Sequence, residues 1–414
     1  MKFYTLIKFF LLGLRGVSIA ARFLLSFLFV KYISLEFQGE YALLLTTVTL
    51  MTLAVGIDFY VYSNRFLIKN RTETSFILVN QFVFHLFCYL LVLILFFIFN
   101  YFELFSKYIT IAIFVLLIFE HLGMEFFRIF IALEKVLIAN ILLFIRTGIW
   151  PLLLIYQLIY TNTLVTLQSV IIYWIGASVI AVLFSFLFLF KEVFSIKFLM
   201  DKKWIKNGLK IGAFFFIATI AQKVIEFSDR YIIDAFLGSK SLGIYTFYFQ
   251  LANVANVAIF TIVTSFLYPK IIHYVNIKDK VNVLATIKKM EVNSILFIVI
   301  YSIILFLVLP YLLDLVDKPE LNNHRIILFL FLLGNLFFNL SFAGHYSLMA
   351  LEKDRLLMWI AIIIGFINFA ANILAVIFVG IEGAVLVFLA STIALYIIKN
   401  RAVKTYFKKY EWIN

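Results

Sequence analysis

Residues 291–312 read EVNSILFIVIYSIILFLVLPYL, a run in which Glu291 is the only charged side chain. A bilayer's hydrocarbon core is about 30 Å thick and needs roughly 20 helical residues to cross it. Inside lipid, only helices or closed barrels satisfy every backbone N–H and C=O. Working outward from this run, eleven more of the same kind fall at 9–33, 41–63, 76–100, 108–130, 136–160, 164–190, 209–235, 243–268, 324–350, 356–378 and 381–399. Of the 414 residues, 65% are hydrophobic and 14% charged, which leaves no room for a sizeable soluble domain. The expected fold is an all-α integral membrane protein, with twelve transmembrane helices in two parallel six-helix bundles.

The net charge of +13 is distributed unevenly along the chain. With both termini in the cytoplasm, 25 of the 35 Lys and Arg residues fall in the termini and the even-numbered loops. Five lie on the opposite face: Lys31, Lys107, Lys240, Lys318 and Arg325. That asymmetry is the positive-inside signature and sets the expected orientation. Lys202, Lys280, Lys353 and Lys408 are then cytoplasmic, while Glu103 and Asp317 are extracytoplasmic. The same placement explains the basic balance without a nucleic-acid partner, and no RNA- or DNA-binding motif is present. Arg401, Lys404, Lys408 and Lys409 read as an anchor at the membrane surface.

Cys88 is the single cysteine, so no disulfide framework or redox compartment follows. The five histidines show no metal-ligand spacing, and no Walker loop or HExxH pattern occurs. No metal or cofactor is expected, and His121 and His345 read as packed or cavity-lining. The first span carries Arg15 and Arg22 and lacks a signal peptide's cleavage site.

The basic stretch Lys191–Lys210 divides the chain into expected domains 1–200 and 201–414, six spans each. An even number of spans per half makes the repeats parallel. Gly39-Glu40-Tyr41 opens the second span and Gly243-Ile244-Tyr245 the eighth. Ala132-Leu133-Glu134-Lys135 follows the fourth, and Ala350-Leu351-Glu352-Lys353 the tenth. Arg15 and Arg22 lie seven apart on the first span, as Lys223 and Arg230 do on the seventh. Seven residues at 3.6 per turn return to nearly the same helix face.

Arg146 on the fifth span is a fifth intramembrane base. Five such bases at mid-membrane cost about 12–18 kcal/mol on insertion scales. That cost points to a polar cavity between the halves, in which Arg15, Arg22, Arg146, Lys223 and Arg230 bind substrate. The opposing reading is local pairing with Asp58, Glu120, Glu125, Glu226 and Asp229. Glu226 stands three residues after Lys223 and four before Arg230, a good helical spacing for ion pairs. The first span has no acid of its own.

Two features lie outside this frame. Between Pro269 and Glu291, Ile271, Ile272, Val275, Val283, Leu284 and Ile287 alternate with lysines, as in a basic amphipathic helix lying in the interface or a solvated connector. Pro151 should kink the fifth span near its middle.

The sequence resembles the polysaccharide transporters of the multidrug/oligosaccharidyl-lipid/polysaccharide exporter superfamily, which include O-antigen and capsule flippases. The likeness runs from Asp229-Arg230 through Leu237-Gly238 and Leu242-Gly243-Ile244-Tyr245 to Tyr268-Pro269-Lys270. It resumes at Ala350-Leu351-Glu352-Lys353, Asn368, Asn372 and Gly380-Ile381-Glu382-Gly383-Ala384. Where family members often carry a proline early in the seventh span, this chain has Gly212-Ala213. The resemblance implies two bundles in a V that opens alternately to each membrane face. It also implies a lipid-linked oligosaccharide cargo on undecaprenyl diphosphate, moved from the cytoplasmic to the periplasmic leaflet of a bacterial inner membrane. Other polysaccharide-assembly proteins are then candidate partners, beside the membrane lipids.

Chemistry agrees in outline, since guanidinium groups pair phosphate oxygens bidentately. No nucleotide site is visible, so transport is expected to be passive or coupled to proton or sodium entry at Glu226, Asp58 or Glu125, in that order. A drug exporter of the same superfamily would need an acid-lined cavity for a cationic substrate. An oligosaccharide polymerase or ligase would need a large outer loop, whereas the loops here are short, so an enzyme is not expected.

Overall fold

The structure, a computed structural model, describes residues 2–101, 107–161, 163–194, 200–410 and 412. Glu103 and part of the Lys191–Lys210 stretch lie outside the described residues. No strand occurs among the described residues. The long helices are α1 (Lys2–Tyr32), α2 (Leu35–Gly56), α3 (Thr74–Tyr101), α4 (Lys107–Ala132), α5 (Val136–Tyr160) and α6 (Leu167–Phe194). They continue with α7 (202–237), α8 (239–276), α9 (Lys280–Val316), α10 (Ile326–Ala350), α11 (Asp354–Val379) and α12 (Ile381–Lys409). Ten stretches among the described residues are long and apolar enough to cross a bilayer. One of them runs through both α7 and α8, which Gly238 separates at φ 81°, ψ 168°. Counting these two apart and adding α4, with its 26 residues, gives the expected twelve.

Three sequence expectations shift in detail. The second span was placed at 41–63, but α2 ends at Gly56 and a separate short helix covers Tyr60–Lys69. Ile57 and Asp58 between them have left-handed φ values of 45° and 47°, which no continuous α-helix tolerates. The 269–291 segment, read as an interfacial amphipathic helix or a solvated connector, is helical on both sides of a short turn. Helix α8 continues through Pro269 to Asn276, and α9 starts at Lys280. Ile271, Val275 and Val283 are fully buried, packed in one core with Leu348, Val403 and Phe407. At 1.5 Å per residue the 37 residues of α9 span about 55 Å, so it crosses the bilayer and projects beyond it. Pro151 lies just after a π-helical segment, Ile145–Ile149, which takes up the distortion within α5.

The chain forms two compact units: Met1–Leu28 with Leu44–Ile217, and Phe29–Leu43 with Ala218–Asn414. The first is centred on Phe59, which stacks on Phe84 at 4.3 Å and meets the edge of Trp204 at 5.6 Å. The second includes the α1–α2 turn for a steric reason. A Cβ on Gly39 would lie 2.0 Å from the Ser239 carbonyl oxygen, and one on Gly243 would lie 1.9 Å from that of Leu35. These are the glycines of the repeated Gly-x-Tyr signal, and each lets backbone approach backbone.

The second repeated signal folds into the same turn twice. Lys135 N–H donates to the Phe130 carbonyl and Glu134 N–H to that of Ile131. Lys353 and Glu352 do the same with Leu348 and Met349. Glu134 and Glu352 both sit at left-handed φ, 62° and 57°. This pair of bonds is the Schellman stop of a helix C-terminus, used identically after α4 and α10.

Candidate functional site

In the first unit, the bases of α1 are held by α5. Arg15 Nε donates to Asn140 Oδ1 at 2.6 Å, and Arg22 Nε donates to the Thr147 carbonyl at 3.1 Å. The seven-residue spacing on α1 is thus met by a seven-residue spacing on α5. Thr147 offers its carbonyl because Pro151, four residues on, has no N–H to donate. Arg22 also lies over the Trp150 ring, 5.8 Å from its centroid. Both of these acceptors are neutral groups, and each orients its guanidinium through Nε. Asn140, Thr147 and Trp150 were not singled out in the sequence, where the signal was Pro151 at the right offset from Thr147.

Arg146 has a different environment. It is buried and pairs with Glu120 Oε2 at 2.5 Å, while Trp174 Nε1 and Ser178 Oγ donate to Glu120 Oε1 at 2.5 and 2.9 Å. This network joins α4, α5 and α6.

In the second unit, Lys223 pairs with Glu226 on its own helix, both half-buried, and Gln222 Nε2 donates to the same carboxylate at 3.2 Å. One stripe position on, the Arg230 guanidinium lies 4.8 Å from the centroids of both Phe227 and Phe249. Its neighbour Asp229 accepts from the Tyr245 hydroxyl, so the tyrosine of the second Gly-x-Tyr signal fixes this acid. Asn368 and Asn372 join α11 to α12: Asn372 Nδ2 donates to Asn368 Oδ1 at 3.0 Å and Asn368 Nδ2 to Ser391 Oγ at 2.9 Å.

The three acids expected to take part in ion coupling are dispersed. Glu226 is in the Lys223 pair. Asp58 is buried in the left-handed turn after α2. Glu125 is buried on α4, 2.5 Å from Arg128 Nη1 and 2.6 Å from Gln81 Nε2. A further basic pocket in the first unit is lined by Tyr62, Arg65, Asn207, Lys210, Phe214 and Phe215, with Arg65 over the Phe215 ring at 5.5 Å.

Membrane-length helices throughout, with two bases seven residues apart on each of α1 and α7, define a polytopic α-helical membrane protein. Residues 8–275 match the family described as "Polysaccharide biosynthesis protein", and the chain belongs to that family. Its fold is that of transporters of the MOP superfamily. It is similar to an inward-facing multidrug resistance MATE family transporter, with TM-score 0.71, 10% identity and 95% of each chain covered. It is also similar to the lipid II flippase MurJ in an inward closed conformation, with TM-score 0.69 and 16% identity, over 98% of this chain and 88% of that one. A MOP-superfamily transporter from Pyrococcus furiosus aligns at TM-score 0.58 and 10% identity, over 96% and 94%. A sequence comparison with curated proteins gives no match.

Proposed function

We propose that the protein is a flippase that moves an undecaprenyl-diphosphate-linked oligosaccharide from the cytoplasmic to the periplasmic leaflet of a bacterial inner membrane by alternating access. The observation that carries this reading is the way the α1 bases are held. Arg15 and Arg22 are oriented by a neutral amide and a neutral carbonyl, in register along one helix face. A diphosphate bears at least two negative charges and binds well to guanidinium forks already oriented along one helix face. Arg22 and Arg230 are assigned to the phosphates, with Arg15 and Lys223 meeting the headgroup first from the cytoplasmic side. Arg146 supports α5 through its Glu120 pair and acts on Arg22 through Thr147, the next residue. Coupling to a proton or sodium gradient is assigned first to Glu226, whose carboxylate is half-buried beside a cation that substrate would compete for.

The test is reconstitution in vesicles with a fluorescent lipid-linked oligosaccharide, reading leaflet accessibility with an impermeant quencher. Transbilayer movement should be faster than in protein-free vesicles, and lost in an Arg22→Glu, Arg230→Glu double variant. Equal rates with and without protein, or normal movement in a stably folded double variant, would overturn the reading.

A further inference from the structure

One buried polar cluster takes no part in the phosphate-binding stripes. Gln81, His85 and Tyr89 recur at four-residue spacing on one face of α3, and His121 and Glu125 are four apart on α4. His85 and His121 are 0% exposed and Glu125 is 1% exposed. His121 Nε2 lies 3.9 Å from Glu125 Oε1, and His85 Nε2 lies 4.0 Å from Glu125 Oε2. The donor atoms of the three residues all fall within 4.8 Å of one another.

The nitrogens themselves point to a ligand. Neither ring nitrogen of His85 has a hydrogen-bond partner, nor does His121 Nε2, nor the amide oxygen of Gln81. Buried polar groups without partners are uncommon, and two such imidazoles beside one buried carboxylate call for an ion or a water there. His121 Nδ1, by contrast, is held by the Tyr89 hydroxyl at 2.6 Å, which fixes the ring with Nε2 turned toward Glu125. An imidazole fixed through one nitrogen so that the other faces a carboxylate is the arrangement metal-binding histidines adopt.

We infer that His85, His121 and Glu125 form a binding site for one divalent metal ion of the zinc class, in the first unit between α3 and α4. Two imidazoles and one carboxylate suit a borderline-soft ion better than an oxygen-seeking one such as magnesium or calcium. A water supplies the fourth donor. Zinc bonds of about 2.0–2.1 Å require tetrahedral edges of roughly 3.3–3.4 Å, so the two imidazoles, which here face different oxygens of Glu125, must draw in around one of them on binding. Rotation of the Glu125 carboxylate away from Arg128, with a turn of the His85 side chain, supplies that movement. The ion clamps α3 to α4, and Glu125 is thereby withdrawn from ion coupling. Sequence spacing hid the site because its ligands come from two helices, and only the His121–Glu125 pair is local.

The experiment uses the full chain in detergent without a polyhistidine tag, stripped with a chelator and then titrated with Zn2+ and, separately, Co2+. One ion per chain should be retained, Co2+ should show the visible absorption of a tetrahedral site, and the melting temperature should rise on loading. His85→Gln and His121→Gln should abolish retention. Tyr89→Phe, which removes only the positioning hydroxyl, should weaken it about 10- to 100-fold. His324→Ala, at a half-buried histidine paired with Glu382, is the control and should leave binding unchanged. No retention by the folded wild-type chain would overturn the proposal and leave a hydrated polar cluster. Retention that persists undiminished in His85→Gln and His121→Gln would overturn it equally, by placing the ion elsewhere. If those variants do not fold, the wild-type Co2+ spectrum and the Tyr89→Phe affinity decide.

Discussion

At the scale of single residues, two arginines are held by different groups around α5. Arg22 Nε donates to a backbone carbonyl, whereas Arg146 pairs with Glu120, which also accepts from Trp174 and Ser178. Their substitutions should separate accordingly. A charge-assisted phosphate contact contributes about 1.5–3 kcal/mol, so Arg22→Gln should weaken substrate binding roughly 10- to 150-fold with little change in stability. Arg22→Lys should retain part of the activity, since charge survives while the bidentate fork is lost. Transport assays at matched protein levels check the series, and loss of protein in step with loss of transport would make Arg22 structural. Glu120→Gln instead leaves a buried guanidinium uncompensated, a change that costs about 3–5 kcal/mol. It should lower the melting temperature in detergent, and Glu120→Leu with Arg146→Met should recover much of the loss. The pairing was half legible in the sequence: acids and bases were present in similar number, but their partners are set by helix packing. Nothing in the linear order links Glu120 to Arg146 or leaves Arg22 on a carbonyl.

At the scale of elements, hydropathy located the helices well and their ends poorly. Lipid enforces apolar runs, so α3 and α9 are plain in composition, and Leu86, Phe87 and Leu90 or Ile303 and Leu307 remain exposed to hydrocarbon. Helix ends depend on single backbone torsions, which composition does not record. Ile57 and Asp58 stop α2 early, and the extensions of α8 and α9 bury residues that read as interfacial. The repeated Ala-Leu-Glu-Lys was visible as a sequence coincidence, and its cause is a turn with glutamate in a left-handed conformation that glycine adopts at no steric cost. Glu352→Gly should therefore stabilise the chain by about 0.5–1 kcal/mol, raising the melting temperature by roughly 1–3 °C. Glu352 is exposed, which keeps the test free of packing effects. The repeated glycines predict the opposite sign. Gly243→Ala sets a methyl 1.9 Å from the Leu35 carbonyl oxygen, so backbone must separate, at about 1–3 kcal/mol. A melting temperature unchanged by Gly243→Ala would mean that this contact is looser in the protein than its geometry indicates.

At the scale of the whole molecule, the charge asymmetry predicts which ends of the helices face the cytoplasm. Helix geometry fixes which loops share a face only once the span count is right, because one missed crossing inverts every loop after it. The break at Gly238 is the decisive case: read as one helix, α7 and α8 would cross once, and α9 through α12 would all reverse. With twelve crossings, the charge asymmetry predicts Lys202, Lys280 and Lys408 on the cytoplasmic face and Asp317 on the opposite one, and all four are exposed. Single cysteines at these positions, in a Cys88→Ser background, should report this directly. Cys88 is buried, so its replacement removes the native thiol at little cost to the surface. In intact cells an impermeant maleimide should label the cysteine at 317 and leave those at 202, 280 and 408 unmodified until the membrane is opened. Labelling at 280 and 408 from outside, with 202 protected, would show that the Gly238 break does not produce two crossings. Labelling at all three would invert the protein, turning its cationic stripes to receive substrate from the other leaflet and reversing the direction of transport argued from them.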